Sequence, residues 1–249
     1  RSAEICLGDV NDEDFVNLKN YTLNPERSEI GWMSNNSVML TSDNGYDDFS
    51  YIPDMAACIR DNGEPGMINH YNMQKYGRYG KEHHDDATLV NPCGEICLEN
   101  FELCNLSEVF PPRCDNPDRF KQALKYATFY STAVSLLPTH RPETNAVIAK
   151  NRRIGVSISG IAQWASGEVA DDWGVMNYTK ITKFLREAYS IVKQENTTLA
   201  KLAGVPPSIR VTTVKPSGSI SLLAGTTPGV HYPVSRYAIR RMRIGSDSP

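Results

Sequence analysis

Long apolar runs are missing from this chain. The longest apolar stretch, around residues 133–138, is short and ends at a proline, far below the roughly 18–20 residues that span a bilayer. No membrane-spanning helix is therefore expected. A dominant charge is missing as well. Lysine and arginine number 26 against 29 acidic residues, a formal net charge of −3, so bulk electrostatics argues for neither a nucleic-acid partner nor an anionic membrane. Cysteine is sparse: six in 249 residues are too few for a disulfide scaffold. Internal repeats and low-complexity segments are absent. No signal peptide is visible, and the chain opens with arginine rather than methionine. The expectation is a cytoplasmic protein, either processed or a piece of something larger.

What is present is enough for a folded body. With 40% hydrophobic and 9% aromatic residues, the chain can bury a sizeable core in one to two domains. Apolar residues at Phe120, Leu124, Ala127, Tyr130, Val134 and Leu137 recur with helical spacing behind Asn116 and Pro117, and Pro138 ends the run. A second helix is expected over residues 179–202, with Ile181, Phe184, Leu185, Ala188, Ile191, Val192 and Leu199 inward and Gly204 as its stop. Shorter helices are expected at 12–18 and 71–78. Strand-like segments fall at 34–40, 87–90, 153–159 and 210–214, and 61–66 reads as a turn. Strands alternating with long helices indicate an α/β fold with a largely parallel sheet. Ligands in such folds sit on the loops after strand carboxyl ends, and both motifs with chemical potential lie in such places.

The first motif is Asn91-Pro92-Cys93-Gly94-Glu95-Ile96, with Cys104 eleven residues after Cys93. Alternation on an extended loop would put Asn91, Cys93 and Glu95 on one side. A thiol, a carboxylate and an amide converging there suit a small polyhydroxylated substrate: the amide donates and accepts, and the carboxylate can act as general base. A hairpin could return Cys104 beside Cys93. Two other readings stay open at this level. A CxE pair on a loop is often a surface accident, and Cys93, Cys97 and Cys104 could ligate zinc. The second motif, Lys215 to Ser221 (KPSGSIS), is a strand-to-helix loop whose N–H groups and hydroxyls could hold an anion; it lacks P-loop spacing, and Ser-Gly pairs are also ordinary turn residues. Arg236, Arg240, Arg241 and Arg243 are read as a solvated face or as a phosphate contact, and His83-His84 as exposed loop.

These blocks together resemble the ribonucleotide reductase family. NPCGEI followed by CNL is similar to its active-site finger loop. RSAEICLGD at 1–9, GWMSNNSV at 31–38, NGEPG at 62–66, NRRIGVSISGIA at 151–162 and KPSGSISLLAGTTPGVH at 215–231 follow in family order. The eleven-residue cysteine spacing is similar to the adenosylcobalamin-dependent branch. The stretch SLLAGTTPGVH with RYAIRRMR resembles the monomeric ribonucleoside-triphosphate reductases.

The resemblance implies part of a ten-stranded α/β barrel with the active-site cysteine on a central finger loop. It implies reduction of ribonucleotides, of which triphosphates are favoured, for DNA synthesis. Cys93 would be the transient thiyl radical formed with adenosylcobalamin, and Glu95 would take the 3′-hydroxyl proton. Asn91 would hold the ribose hydroxyls, and Cys104 would be one of two reducing thiols. Ser217, Gly218 and Ser219 would hold the substrate phosphates, and Ser34 and Asn36 would face the substrate. A metal site is not implied, and His231 is not read as a cobalt ligand. The alternatives are a di-metal reductase large subunit and, from another class, a non-catalytic nucleotide- or zinc-binding module. The whole chain would be the central part of one catalytic barrel domain. The deoxynucleotide effector site, the partner of Cys104 and the cysteine pair served by a thioredoxin-type reductant would lie outside it. The piece alone is expected to expose strand edges and to turn nothing over.

Overall fold

The computed structural model describes residues 4–41, 43, 50–75, 85–167, 177–233, 235, 237 and 239. The histidine pair at 83–84, the four arginines from Arg236 to Arg243 and the end of the expected helix at 71–78 lie outside them.

Strands β1 (Glu4–Asp9), β2 (Ser34–Leu40) and β3 (Gly66–Asn69) form a parallel sheet in that order. Parallel neighbours need crossovers. The first runs through the short helix α1 (Glu13–Val16), whose Asp12 caps the Phe15 N–H, and the second through α2 (Ile52–Asn62). Val38 and Leu40 on one face of β2 pack with Val10 and Met55 as a small core. Helix α3 (His70–Lys75) follows β3 directly.

An antiparallel hairpin comes next: β4 (Leu89–Val90) pairs with β5 (Cys97–Leu98). Its Val90 packs with Met73 and Ala87 against Ile5 and Ile68, so the hairpin is seated on the first sheet.

The second half is built on β6 (Leu106–Val109) and β7 (Gly155–Ile158), which pair in parallel. Between them run α4 (Pro117–Val134) and α5 (Pro142–Asn151). Helices α6 (Ile161–Gly167), α7 (Tyr178–Ala203) and α8 (Ile220–Ala224) complete the described elements. Phe120, Leu124, Val156, Ala188, Val192 and Val211 close the main core, each large apolar side chain contributing about 1.5–3 kcal/mol.

Several expectations are corrected. Residues 210–214 are not a ladder strand; only the bridge Val156↔Thr212 forms. The segment still runs along β7, with Ile154 N–H donating to Arg210 and Val156 N–H to Val211. The turn at 61–66 is the end of α2, a left-handed Gly63 and the start of β3. Helix α4 ends at Val134, before the expected Leu137; along it and the turn that follows, Tyr130 and Leu137 are exposed, while Thr128, Ser131, Thr132 and Ser135 are buried. Those hydroxyls find partners inside the protein, Thr128 on the Leu124 carbonyl at 2.7 Å and Ser131 on Ser107 at 2.8 Å, so burying them costs little.

Candidate active site

The loop between β4 and β5 is a tight turn rather than extended chain. Gly94 N–H donates to the Asn91 carbonyl at 2.8 Å, and Gly94 takes φ +76°, a conformation that glycine adopts without Cβ strain. Asn91, buried at the root of the loop, closes it from inside. Its N–H donates to the Ile96 carbonyl at 3.1 Å, and its Oδ1 accepts from Ile96 N–H at 3.2 Å. Its Nδ2 lies 3.7 Å from Cys104 Sγ. The amide thus ties the turn to the second cysteine.

Cys93 is exposed at the tip, and Cys104 is exposed in the loop between β5 and β6. Each keeps an open side, while protein packed on the other side desolvates the sulfur. Burial and then the negative Glu95 push the Cys93 thiol up, with Lys215 opposing them. Cys104 is pushed up to about 11 by burial and by Glu95, against Lys215 and the Asn91 amide. Both sulfurs are therefore neutral S–H groups at neutral pH, and both sense the same two charges. Glu95 has one carboxylate oxygen, Oε2, that is buried and has no hydrogen-bond partner. An unmet acceptor of this kind is costly in a finished core and is typical of a site waiting for a ligand. The Glu95 carbonyl accepts from Thr213 Oγ1, and the Pro92 carbonyl from Asn35 Nδ2. The loop is held from both halves of the fold.

Among the described residues, Lys215 is the cation whose charge opposes the rise at both thiols. Its N–H donates to Ser157 Oγ at 2.9 Å, and its Nζ sits 3.3 Å from Glu108 Oε2. Ser159 Oγ donates to the other Glu108 oxygen. Gly229 backs this segment so closely that a Cβ there would lie 2.5 Å from the Lys215 carbonyl oxygen. In the adjoining loop, Ser217 is buried, adopts φ +53°, and has a hydroxyl with no partner. Gly218 follows, and Ser219 is the residue before α8.

The structure therefore brings Asn91, Cys93, Glu95 and Cys104 together, although by a turn rather than by alternation. It does not bring Ser34 and Asn36 to them. Those two share the β2 face of Val38 and Leu40, since strand side chains alternate. Asn36 accepts from Ser34 Oγ at 2.9 Å, and its N–H donates to Glu64. Asn35, on the opposite face, is the residue of that strand that meets the loop. Sequence reasoning missed Asn35, Thr213 and Lys215; only Lys215 carried a signal, as the first residue of KPSGS.

Comparison with known proteins decides the family. A profile of the ribonucleotide reductase barrel domain matches residues 50–169. The adenosylcobalamin-dependent ribonucleoside-triphosphate reductase of Euglena gracilis is 42% identical over 254 residues, 100% of this chain and 33% of its own. The enzyme of that name from Lactobacillus leichmannii is 34% identical, over 100% of this chain and 36% of its own. A solved B12-dependent class II ribonucleotide reductase superimposes with a TM-score of 0.75 at 33% identity, covering 92% of this chain and 34% of that one. This chain belongs to the ribonucleotide reductase family. It spans about a third of the length of the curated reductases it matches. The α subunit of an Actinobacillus ureae class Id ribonucleotide reductase shares the fold, with a TM-score of 0.61 at 16% identity. The mixed α/β architecture with parallel pairing is that of part of the ribonucleotide reductase barrel.

Among the described residues, no helix is long and apolar enough to cross a membrane.

Proposed function

We propose that the protein carrying this chain reduces ribonucleoside triphosphates to 2′-deoxyribonucleotides by cysteine-radical chemistry, with adenosylcobalamin as cofactor. The observation that carries the reading is the meeting, at the hairpin turn, of two protonated thiols, Cys93 on the turn and Cys104 brought to it through Asn91, with a buried, unpartnered Glu95 oxygen. Neutral S–H groups suit hydrogen-atom transfer, whereas a nucleophile or a zinc ligand works as thiolate. The residues present therefore fit the cofactor's demand. Bound beside this loop, adenosylcobalamin would supply the radical chemistry that takes the hydrogen atom held on the Cys93 sulfur. The names of the relatives favour this cofactor over a di-metal partner. The zinc-module alternative has no support in the donor geometry: among the described residues, no three His, Cys, Asp or Glu side chains gather as ligands.

In this reading the Cys93 sulfur takes the 3′-hydrogen of the ribose and becomes S–H again. Glu95 Oε2 accepts the 3′-hydroxyl proton, acting as general base within reach of the reacting atoms. Cys104 gives its proton as the 2′-hydroxyl leaves as water, and with a second thiol it supplies two electrons and becomes a disulfide. Cys93 then returns a hydrogen atom to C3′. Asn91 keeps Cys104 in place and has a second N–H for a ribose hydroxyl. The Ser217 hydroxyl, with Gly218 and Ser219, receives the substrate phosphates. Residues 1–249 form the central part of one catalytic domain. A thioredoxin-type reductant reopens the disulfide, a deoxynucleotide tunes specificity, and the working protein is a cytoplasmic monomer, in keeping with its need for reduced thiols. Ser34 and Asn36 act on the site only through their strand.

The test is anaerobic incubation of the complete protein with adenosylcobalamin, a ribonucleoside triphosphate and a dithiol. Deoxynucleotide formation that is lost in Cys93→Ser and in Glu95→Ala supports the reading; unaffected formation in Cys93→Ser contradicts it.

A further inference from the structure

Beneath the finger hairpin lies a charge cluster to which the proposed chemistry assigns nothing. Arg153, at the entry to β7, has a side chain with no exposure at all. Its Nη1 and Nη2 donate to both oxygens of Asp85, at 2.9 and 2.8 Å, and its Nε donates to Glu102 at 3.0 Å. Asp85 precedes β4, and its Oδ1 also accepts from Ala87 N–H at 3.1 Å. Glu102 follows β5, and its Oε2 accepts from Glu99 N–H at 2.8 Å. Arg210 completes the set from the neighbouring segment, with Nε on Asp85 and Nη2 on the Met73 carbonyl. Two cations meet two anions, and a single guanidinium holds both legs of the hairpin.

The hairpin needs such a grip. Its ladder is two residue pairs long, Leu89↔Leu98 and Val90↔Cys97, and a ribbon of that length has little stability of its own. Buried ion pairs are also poor sources of stability, because desolvation consumes the Coulomb gain. What a rigid, bidentate guanidinium does supply is geometry. Glu102 stands two residues before Cys104, and the grip is anchored in β7 and its neighbour rather than in the loop.

We propose that Arg153 is a positioning residue: by clamping Asp85 and Glu102 at the base of the finger hairpin, it sets the spacing of Cys93 and Cys104 at the reacting centre. The proposal rests on the reading of those two cysteines as the reacting thiols. It makes Arg153 act through the hairpin, with no contact to substrate.

The test uses Glu102→Gln and Arg153→Lys in the complete protein, with Lys121→Ala as control. Glutamine keeps the volume of Glu102 but offers only one acceptor oxygen, so it cannot serve both Arg153 and the Glu99 N–H. Lysine is a point charge without the planar fork, so it cannot keep the bidentate bonds to Asp85 together with the separate Nε bond to Glu102. Two readouts are taken: kcat and KM for the nucleotide, and the rate of iodoacetamide alkylation of Cys93 and Cys104 without substrate. Misplacement of reacting groups by about 1 Å costs on the order of 100-fold. Both variants are therefore expected to lose at least about tenfold in kcat with KM held within about twofold, and to alter alkylation of the two cysteines by at least about threefold. Lys121→Ala is expected to match the parent. Folded variants with unchanged kcat and alkylation overturn the proposal. So does a kcat loss with unchanged alkylation, and so do variants that fail to fold, which would make the cluster a support of the whole fold. If the parent itself makes no deoxynucleotide, the functional reading has failed, and the alkylation rates still judge the clamp.

Discussion

Glu95 and the packing around Cys104 make that thiol a poor nucleophile, and the effect is large enough to measure. Its ordinary value of 9.0 is pushed up to about 11 by burial first and by the Glu95 charge second, with Lys215 and the Asn91 amide opposing. At about pH 8 the thiolate fraction then falls about 100-fold, and the higher basicity returns about eightfold in intrinsic nucleophilicity, leaving alkylation roughly tenfold slower than for an ordinary cysteine. The assay is the rate of iodoacetamide labelling of the Cys104 peptide against pH, read by mass spectrometry. The rate is expected to climb tenfold per pH unit without a plateau until about pH 11. Glu95→Gln removes a charge that raises both thiols, so labelling of Cys93 and Cys104 at about pH 8 is expected to speed up in that variant. A plateau below about pH 9 in the parent, or no acceleration in Glu95→Gln, would refute the electrostatic argument.

Three further outcomes follow from the same structure. Burial raises the Asp85 carboxyl, but the Arg153 hydrogen bonds, with the Arg153 and Arg210 charges, outweigh it and hold it at about 2 in the folded protein, against an ordinary 3.8. A depressed carboxylate stabilises fully above its unfolded value and loses that contribution as pH falls toward the folded one, so up to about 2 kcal/mol should vanish between about pH 4 and pH 2. Urea midpoints against pH should show this loss, and it should be smaller in Asp85→Asn; an equal loss there contradicts the assignment. Asn196 is buried, with Nδ2 on Thr132 and Ser208 at 3.1 and 2.8 Å and Oδ1 accepting from Ser208 N–H. Asn196→Ala should cost about 1–3 kcal/mol in urea unfolding, and a cost under about 0.5 kcal/mol would be inconsistent with that network. Ser217→Ala should raise KM for the nucleotide about fivefold, the loss of one hydrogen bond, with kcat little changed; an unchanged KM removes Ser217 from the phosphate site.

The parts of the fold legible in the sequence were those with a long period or a cap. Helix α7 could be read because apolar residues repeat over many turns and Gly204 ends them in the left-handed conformation. β4 and β5 have two residues each and β6 has four, too few to carry a period. In helix α4 the expected inward face holds at Phe120, Leu124 and Ala127 and fails in the later turns. The buried stripe includes Thr128, Ser131 and Thr132, whose hydroxyls are satisfied internally, while Tyr130 faces outward. At the site, Cys93, Glu95, Asn91 and Cys104 could be named because they lie close together in the chain. Arg153, Asp85, Glu102 and Arg210 could not, since a charged residue reads as surface until its partner is known, and Arg210 meets Asp85 across 125 positions. The choice between Asn35 and its neighbours Ser34 and Asn36 turned on which face of β2 looks at the hairpin, and only the three-dimensional packing decides that.

The central claim is that Cys93 carries the radical. The most direct measurement freezes the complete protein anaerobically during turnover with adenosylcobalamin and a ribonucleoside triphosphate, and records its electron paramagnetic resonance spectrum. The cysteine is at natural abundance in one sample and deuterated at the β-carbon in another. The account expects a signal that narrows on deuteration and is absent in Cys93→Ser. A signal that ignores cysteine deuteration, or that survives in Cys93→Ser with deoxynucleotide still forming, would contradict it.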